Sequence, residues 1–94
     1  MSDDFSEEIK VADHKVVLGQ FEDAQDIYQK IIHSSDSSVV AAYAHYKLGT
    51  LHKRQNDTAK AKAEYTKGLQ SLKKAGESNH QIGKYLERAL IIIG

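Results

Sequence analysis

Apolar residues recur at every third or fourth position along most of the chain, the spacing that places them on one face of an α-helix. The first stripe consists of Phe5, Ile9, Ala12 and Val16. Gly19 follows this stripe, and glycine is common at the end of a helix. Asp4 and Glu7 have the spacing of a capping box, so we predict that the first helix begins at Asp4.

Four further helices are predicted from the same spacing and from the residues that interrupt it. Their ranges are about 22–33, 39–54, 58–75 and a last helix that ends near residue 93. A serine-rich loop over 33–38 provides a cap for the third helix, and residues 56–57 form the turn after it. Gly76 ends the fourth helix, and Ser78 or Asn79 is expected to cap the fifth.

The composition supports an all-helical domain. Proline is absent from the 94 residues, although average usage of about 5% would place several in a chain of this length. Proline interrupts helix interiors, so its absence favours long, unbroken helices. A chain of this size can bury one core of modest stability, and we expect a single domain over 1–94.

Charge and cysteine content exclude several classes of function. Lysine and arginine number 13, as do aspartate and glutamate, so the chain lacks the excess positive charge that nucleic acids and anionic membranes attract. It has no cysteine for a disulfide, a thiolate nucleophile or a zinc site. The longest apolar run, 89–93, is far shorter than a membrane span of about 20 residues. The N-terminus is acidic, unlike a secretory signal, and we expect a cytoplasmic protein.

The chain repeats itself at a period near 34 residues. Aligned pairs are Ala24 with Ala61, Tyr28 with Tyr65, Ile32 with Leu69, Leu48 with Ile82, and Gly49 with Gly83. Gly49 and Gly83 are 34 residues apart, whereas Ala24 and Ala61 are 37 apart, because the serine-rich loop is longer than the other connections. A generic bundle of three to five helices is the alternative interpretation.

A helix–turn–helix unit of about 34 residues, with Leu-Gly in its first helix and Ala followed by Tyr in its second, resembles the tetratricopeptide repeat. The resemblance implies antiparallel helix pairs in a right-handed superhelix: one repeat over about 5–38, a second over about 42–75, and a capping half-repeat over about 76–94. The first unit has Lys15 where the family usually has tyrosine, and the family's proline is missing. Whether the chain is a piece of a longer array stays open.

Gly49 lies in the middle of the third predicted helix, where glycine costs roughly 0.5–1 kcal/mol relative to alanine. The resemblance explains this cost, because the helices of a unit cross closely and small residues let them approach. We therefore predict that Gly49 and Ala61 lie at a close helix contact, and that Gly83 has the same role one repeat later.

The resemblance also implies binding of a partner protein, because the first helices of such repeats line a concave groove that holds a peptide or helix. The predicted groove residues are Tyr43, Tyr46, Thr50, Lys53, Arg54, Lys84 and Arg88. Their tyrosines and cations suit an acidic partner. Asp13 and Glu77 occupy positions at which some members of the family grip a carboxylate, so no chaperone-type clamp is expected.

A second class of function is self-assembly. The tail carries Ile91, Ile92 and Ile93, and successive helical residues turn by about 100°, so these side chains cannot all face inward. At least one is expected to be exposed or covered by a second copy, which predicts weak homo-oligomerisation.

We predict no catalytic residue, no cofactor and no metal. The glycines are scattered and form no phosphate-binding loop, so an enzyme is not expected. His45 and His52 share a helix face, but no carboxylate on that face has ligand spacing, so we assign both to packing rather than to a metal.

Overall fold

The chain folds into five α-helices joined by short connections. A computed structural model describes residues 5–93, and within that range the regular structure is entirely helical. The helices are α1 (Ser6–Val17), α2 (Phe21–Ser34), α3 (Ser38–Arg54), α4 (Thr58–Lys74) and α5 (Gln81–Ile93). The prediction of an all-α chain is confirmed. The predicted capping box rests on Asp4, which lies outside the described residues.

Three connections begin with the same turn. A residue with positive φ follows the helix end: Gly19 at 77°, Asn56 at 62° and Gly76 at 72°. After α1, the N–H of Gln20 donates to the carbonyl of Lys15 at 2.8 Å and the N–H of Gly19 donates to Val16 at 3.0 Å. This Schellman motif satisfies carbonyls that the helix leaves unpaired, and it needs a residue that tolerates the left-handed conformation.

Side-chain caps start the later helices. Ser37 and Asp57 each accept a hydrogen bond from the backbone N–H three residues later, at 3.2 and 3.1 Å. At α5 the acceptor is Nδ1 of His80, which receives the N–H two residues later at 3.2 Å. The prediction that Ser78 or Asn79 caps α5 is therefore wrong, because both residues precede His80 in a hydrogen-bonded turn.

α3 is the central element. Each helix packs on the next one in the chain, and α3 also contacts α5. The Cα atoms extend over 39 × 35 × 18 Å, so the molecule is about two helices thick. One core cluster lies between α1, α2 and α3 and contains Ala12, Ala24, Tyr28, Leu48 and Leu51. The other joins α3, α4 and α5 through Ala42, Ala61, Tyr65, Leu72, Ile82 and Leu86.

Gly49 lies at a close helix contact, as predicted, but its partner is the ring of Tyr65 rather than Ala61. A Cβ atom on Gly49 would lie 2.5 Å from Cε1 of Tyr65, which is closer than van der Waals contact allows. Tyr65 is buried, with 2% of its surface exposed, so a shift of its ring would disturb the core. Gly68, which the pattern did not single out, has a similar role, since its Cβ would lie 3.0 Å from Leu86.

Asp13 joins the first three helices. Its carboxylate accepts a hydrogen bond from the hydroxyl of Tyr28 on α2 and pairs with Nζ of Lys47 on α3 at 3.3 Å. Burial raises the pKa of Tyr28, and the hydrogen bond to Asp13 raises it further, so the phenol stays protonated. Asp13 is thereby held between a neutral donor and a cation.

A second polar contact joins α3 to α4. Nδ1 of His45 lies 2.9 Å from Oε1 of Glu64, and both side chains are nearly buried. Burial alone would raise the pKa of Glu64. The hydrogen bond from His45 and the charge of Lys67, whose Nζ lies 3.6 Å away, outweigh burial and lower it. The carboxylate is therefore stabilised in its ionised form.

Gly49→Ala should destabilise the domain by about 1–3 kcal/mol, because the added methyl overpacks against Tyr65. In a helix with free space the same change stabilises by roughly 0.5–1 kcal/mol, so the sign of the effect is the test. Urea unfolding of wild type, Gly49→Ala, Tyr65→Leu and the double variant measures it. An equal cost of Gly49→Ala with and without the tyrosine ring would show that Tyr65 is not its steric partner.

Glu64→Gln should remove a contribution to stability that depends on pH. Because the folded-state pKa of Glu64 is lowered, its contribution is complete above the unfolded value of about 4.3 and is lost as pH falls through the folded value. Urea unfolding should therefore show wild type more stable than Glu64→Gln by about 1–2 kcal/mol near neutral pH, with the difference shrinking below about pH 4. Glu87→Gln, at an exposed position, is the control. A constant difference down to pH 2.5 would contradict the ion-paired state of Glu64.

Candidate partner-binding groove

Three adjoining cavities lie along the face formed by α1, α3 and α5. The apolar cavity, about 290 Å³, is lined by Ile9, Val39, Val40, Tyr43, His80, Gln81, Ile82 and Tyr85. The aromatic–basic cavity, about 330 Å³, is lined by Tyr46, Thr50, Lys53, Tyr65, Tyr85, Arg88, Ala89 and Ile92. The α1–α3 cavity, about 250 Å³, is lined by Asp13, Val16, Tyr28, Lys47, Thr50, Leu51 and Arg54.

The three helices lie side by side and run in the same direction. The apolar cavity takes residues from the N-terminal parts of α3 and α5, and the aromatic–basic cavity takes residues from their C-terminal parts. On α1, Ile9 shares a cavity with Tyr43, and Asp13 pairs with Lys47. The apolar and aromatic–basic cavities share Tyr85, and the aromatic–basic and α1–α3 cavities share Thr50, so neighbouring cavities adjoin; together we call them the groove.

A row of tyrosine rings forms the wall of the aromatic–basic cavity. The ring of Tyr46 lies between two others, with its centroid 5.9 Å from that of Tyr65 and 6.2 Å from that of Tyr85. The Tyr65 hydroxyl lies 3.1 Å from Oγ1 of Thr50, and Gln81 donates a hydrogen bond to the Tyr85 hydroxyl at 2.8 Å. Packing and hydrogen bonds therefore hold the rings in this arrangement.

Two cations stand at the rim of this wall. Lys53 and Arg88 line the aromatic–basic cavity from α3 and α5, and both side chains are exposed. The ion pairs observed within residues 5–93 involve other residues, so neither cation is paired with a carboxylate in this part of the chain. Their charge is available to a ligand.

In the α1–α3 cavity, polar side chains already contact one another. Lys47 pairs with Asp13, and its Nζ also lies 5.5 Å from the centroid of the Tyr43 ring. Arg54 is the exposed cation of this cavity. Since Asp13 and Lys47 offset each other, one cation remains in this lining against two in the aromatic–basic cavity, which makes this end less favourable for an anion.

The structure divides the seven predicted groove residues. It brings four of them together in the aromatic–basic cavity, namely Tyr46, Thr50, Lys53 and Arg88. Tyr43 lines the apolar cavity and Arg54 lines the α1–α3 cavity. Lys84 is exposed on α5 and lines none of the three.

Tyr85 and Ile92 are among the groove residues that the seven predicted ones do not include. Tyr85 lines two of the cavities, and Ile92, predicted for self-association, lines the aromatic–basic one. The spacing of Tyr85, Arg88 and Ile92 along one face of α5 is the sequence signal that connects them.

The apolar tail is partly exposed, as predicted. Ile91 is 80% exposed and Ile92 is 66% exposed, whereas Leu90 and Ile93 pack against the core. The exposure follows from the turn of about 100° between successive helical residues. Self-association through this tail stays a prediction.

A fourth cavity, about 610 Å³, lies outside the groove along α4. Its lining residues are His45, Lys67, Gln70, Ser71, Lys73 and Lys74. Lys67 is already paired with Glu64. Lys73 and Lys74 lie in the last turn of α4, where a positive charge interacts favourably with the helix dipole. The helix itself therefore accounts for the lysines here.

The two histidines assigned to packing lie in different surroundings. His52 is buried in α3, and His45 contacts Glu64, a carboxylate from the neighbouring helix that the pattern along α3 could not reveal. Within the described residues, no three histidine, cysteine or acidic side chains are grouped as metal ligands would be.

The groove is defined by a tyrosine wall, two unpaired cations and an adjoining apolar cavity.

Within residues 5–93, every helix is too short or too polar to traverse a lipid bilayer. Comparisons of the chain with models of known protein families, with curated proteins and with solved structures find no match.

Proposed function

We propose that the chain is a non-enzymatic protein-interaction module, built as a tetratricopeptide-like repeat array, that binds an acidic segment of a partner protein in the groove between α3 and α5. The observation that carries the proposal is that Lys53 and Arg88, two cations unpaired within residues 5–93, line the same cavity as the packed rings of Tyr46 and Tyr85.

The repeat arrangement draws support from contacts at the period of the sequence. Asp13 and Lys47 are 34 residues apart and form an ion pair between α1 and α3. Ile9 and Tyr43 have the same separation and share a cavity. The common direction of α1, α3 and α5 is what a stack of helix pairs requires, because each first helix then lies beside the next.

The chemistry of the groove favours an anionic protein segment. Tyrosine and arginine are the residues that contribute most to binding energy at protein interfaces. The rings of Tyr65 and Tyr85 are held by hydrogen bonds to Thr50 and Gln81, so these side chains lose little conformational freedom when a partner binds. A carboxylate beside Arg88 forms a charge-assisted hydrogen bond, stronger than one between neutral groups.

A second candidate function is weak self-association through α5, favoured by the exposure of Ile91 and Ile92. Burying one such side chain in a dimer contributes roughly 1.5–3 kcal/mol.

The double charge reversal Lys53→Glu/Arg88→Glu should abolish binding of acidic peptides, because it replaces the two rim cations with repelling charges. Peptides selected from a phage-displayed random library on wild type serve as ligands, and fluorescence anisotropy measures their affinity. We expect acidic peptides that bind less tightly as salt rises, and a loss of at least about 50-fold in the variant. Lys73→Glu/Lys74→Glu on α4 is the control with the same change in net charge. Equal losses in both variants would show that net charge, rather than the groove, governs binding.

Sedimentation velocity over a range of concentrations tests self-association. Wild type should show a weak monomer–dimer equilibrium, and Ile91→Ser should shift it towards monomer by about tenfold or more. Val17→Ser, which changes an aliphatic residue of α1 that is 77% exposed, is the matched control. A monomeric wild type at the highest concentration would refute this second candidate.

A further inference from the structure

The groove contains two neighbouring cavities of different chemistry with a single tyrosine between them. Tyr85 lines both, and the residue is 41% exposed. On one side lie aliphatic side chains from three segments, Ile9, Val39 and Ile82. On the other side lie Lys53 and Arg88. A ligand that covers Tyr85 therefore meets apolar surface at one end and positive charge at the other.

The helix geometry sets the distance between the two cavities. Along α3, the centre of the apolar cavity and that of the aromatic–basic cavity are about nine residues apart, which corresponds to about 13 Å at 1.5 Å per residue. Along α5 the separation is about six residues, or about 9 Å. An extended peptide advances about 3.3 Å per residue, so three or four residues span this distance.

A helical ligand would need more residues than an extended one to reach both cavities. At 1.5 Å per residue, a helix spans the same distance with about six to nine residues, so the separation of its apolar and acidic side chains distinguishes it from an extended ligand.

The charges along the groove determine which end holds the acidic side chain. The apolar cavity is lined by neither lysine nor arginine, and His80 is its only titratable group besides its tyrosines. The aromatic–basic cavity has two unpaired cations and no carboxylate in its lining. Asp13, the nearest acid of the adjoining α1–α3 cavity, is paired with Lys47.

We propose that the groove recognises an extended peptide segment that carries one large apolar side chain and one acidic side chain three or four residues apart. The apolar side chain occupies the cavity beside Ile9 and Val39, and the carboxylate lies between Lys53 and Arg88. The inference rests on the proposed function, because it specifies what the same groove binds.

The test uses fluorescein-labelled peptides with blocked termini in which one leucine and one aspartate stand in a background of serine and alanine. The series places aspartate at every separation from one to nine residues after leucine, and a second series reverses their order. Anisotropy with the full chain should give the tightest binding at three or four residues in at least one order. Affinity should fall about tenfold at one residue and at seven or more.

Variants of the protein assign each end of the peptide. Ile9→Ser should weaken the best peptide at least about fivefold and leave unchanged a peptide whose leucine is replaced by alanine. Val11→Ser, a half-exposed valine of α1 outside the three cavities, is the matched control. Lys53→Glu/Arg88→Glu should weaken only peptides that carry the aspartate. Circular dichroism confirms that each variant is folded.

The outcomes separate this inference from the proposed function. Affinity that is independent of the separation, or that peaks at seven or eight residues as for a helical ligand, overturns the inference while peptide binding stands. Binding of phage-selected peptides without binding of any peptide in the designed series also overturns it. If neither set of peptides binds wild type, the proposed function fails, and the inference with it.

Discussion

The contact between Gly49 and the ring of Tyr65 is the constraint on which the proposed binding face depends. Since Gly49 has no side chain, the Tyr65 ring can lie against the backbone of α3, where a Cβ would come within 2.5 Å of it. In that position its hydroxyl reaches Thr50 and its ring supports Tyr46. Tyr46 in turn packs against Tyr85 on α5. A packing requirement of the core thus positions the aromatic wall of the groove.

Polar contacts between helices determine which charges remain for a partner. Asp13 is held by Lys47 and by the hydroxyl of Tyr28, and the carboxylate of Glu64 is held by His45 and Lys67. These contacts neutralise acids that lie between helices, where an unpaired charge would be costly. Lys53 and Arg88, at the rim of the aromatic–basic cavity, pair with no carboxylate of the described residues. The groove therefore has a positive end, although the chain as a whole is neutral.

The two exposed isoleucines that favour self-association lie on different faces of α5, and one of them also lines the groove. Ile92 lies on the face that lines the groove beside Arg88, whereas Ile91 projects outward and is the more exposed of the two. Substitutions at these adjacent positions can therefore separate partner binding from self-association. Their difference in direction arises from the turn of about 100° between successive helical residues.

The sequence alone determined the five helices and the glycine and asparagine turns, because these depend on residues close together in the chain. The repeat pattern predicted crowding at Gly49, but only the packing of α4 on α3 made Tyr65 its partner. It did not determine that His80 caps α5 or that Glu64 meets His45. Nor did it place Tyr85 in the groove and Lys84 outside it. Only tertiary structure decided these features, because a helical pattern shows which residues share a face, whereas the packing of whole helices decides what that face meets.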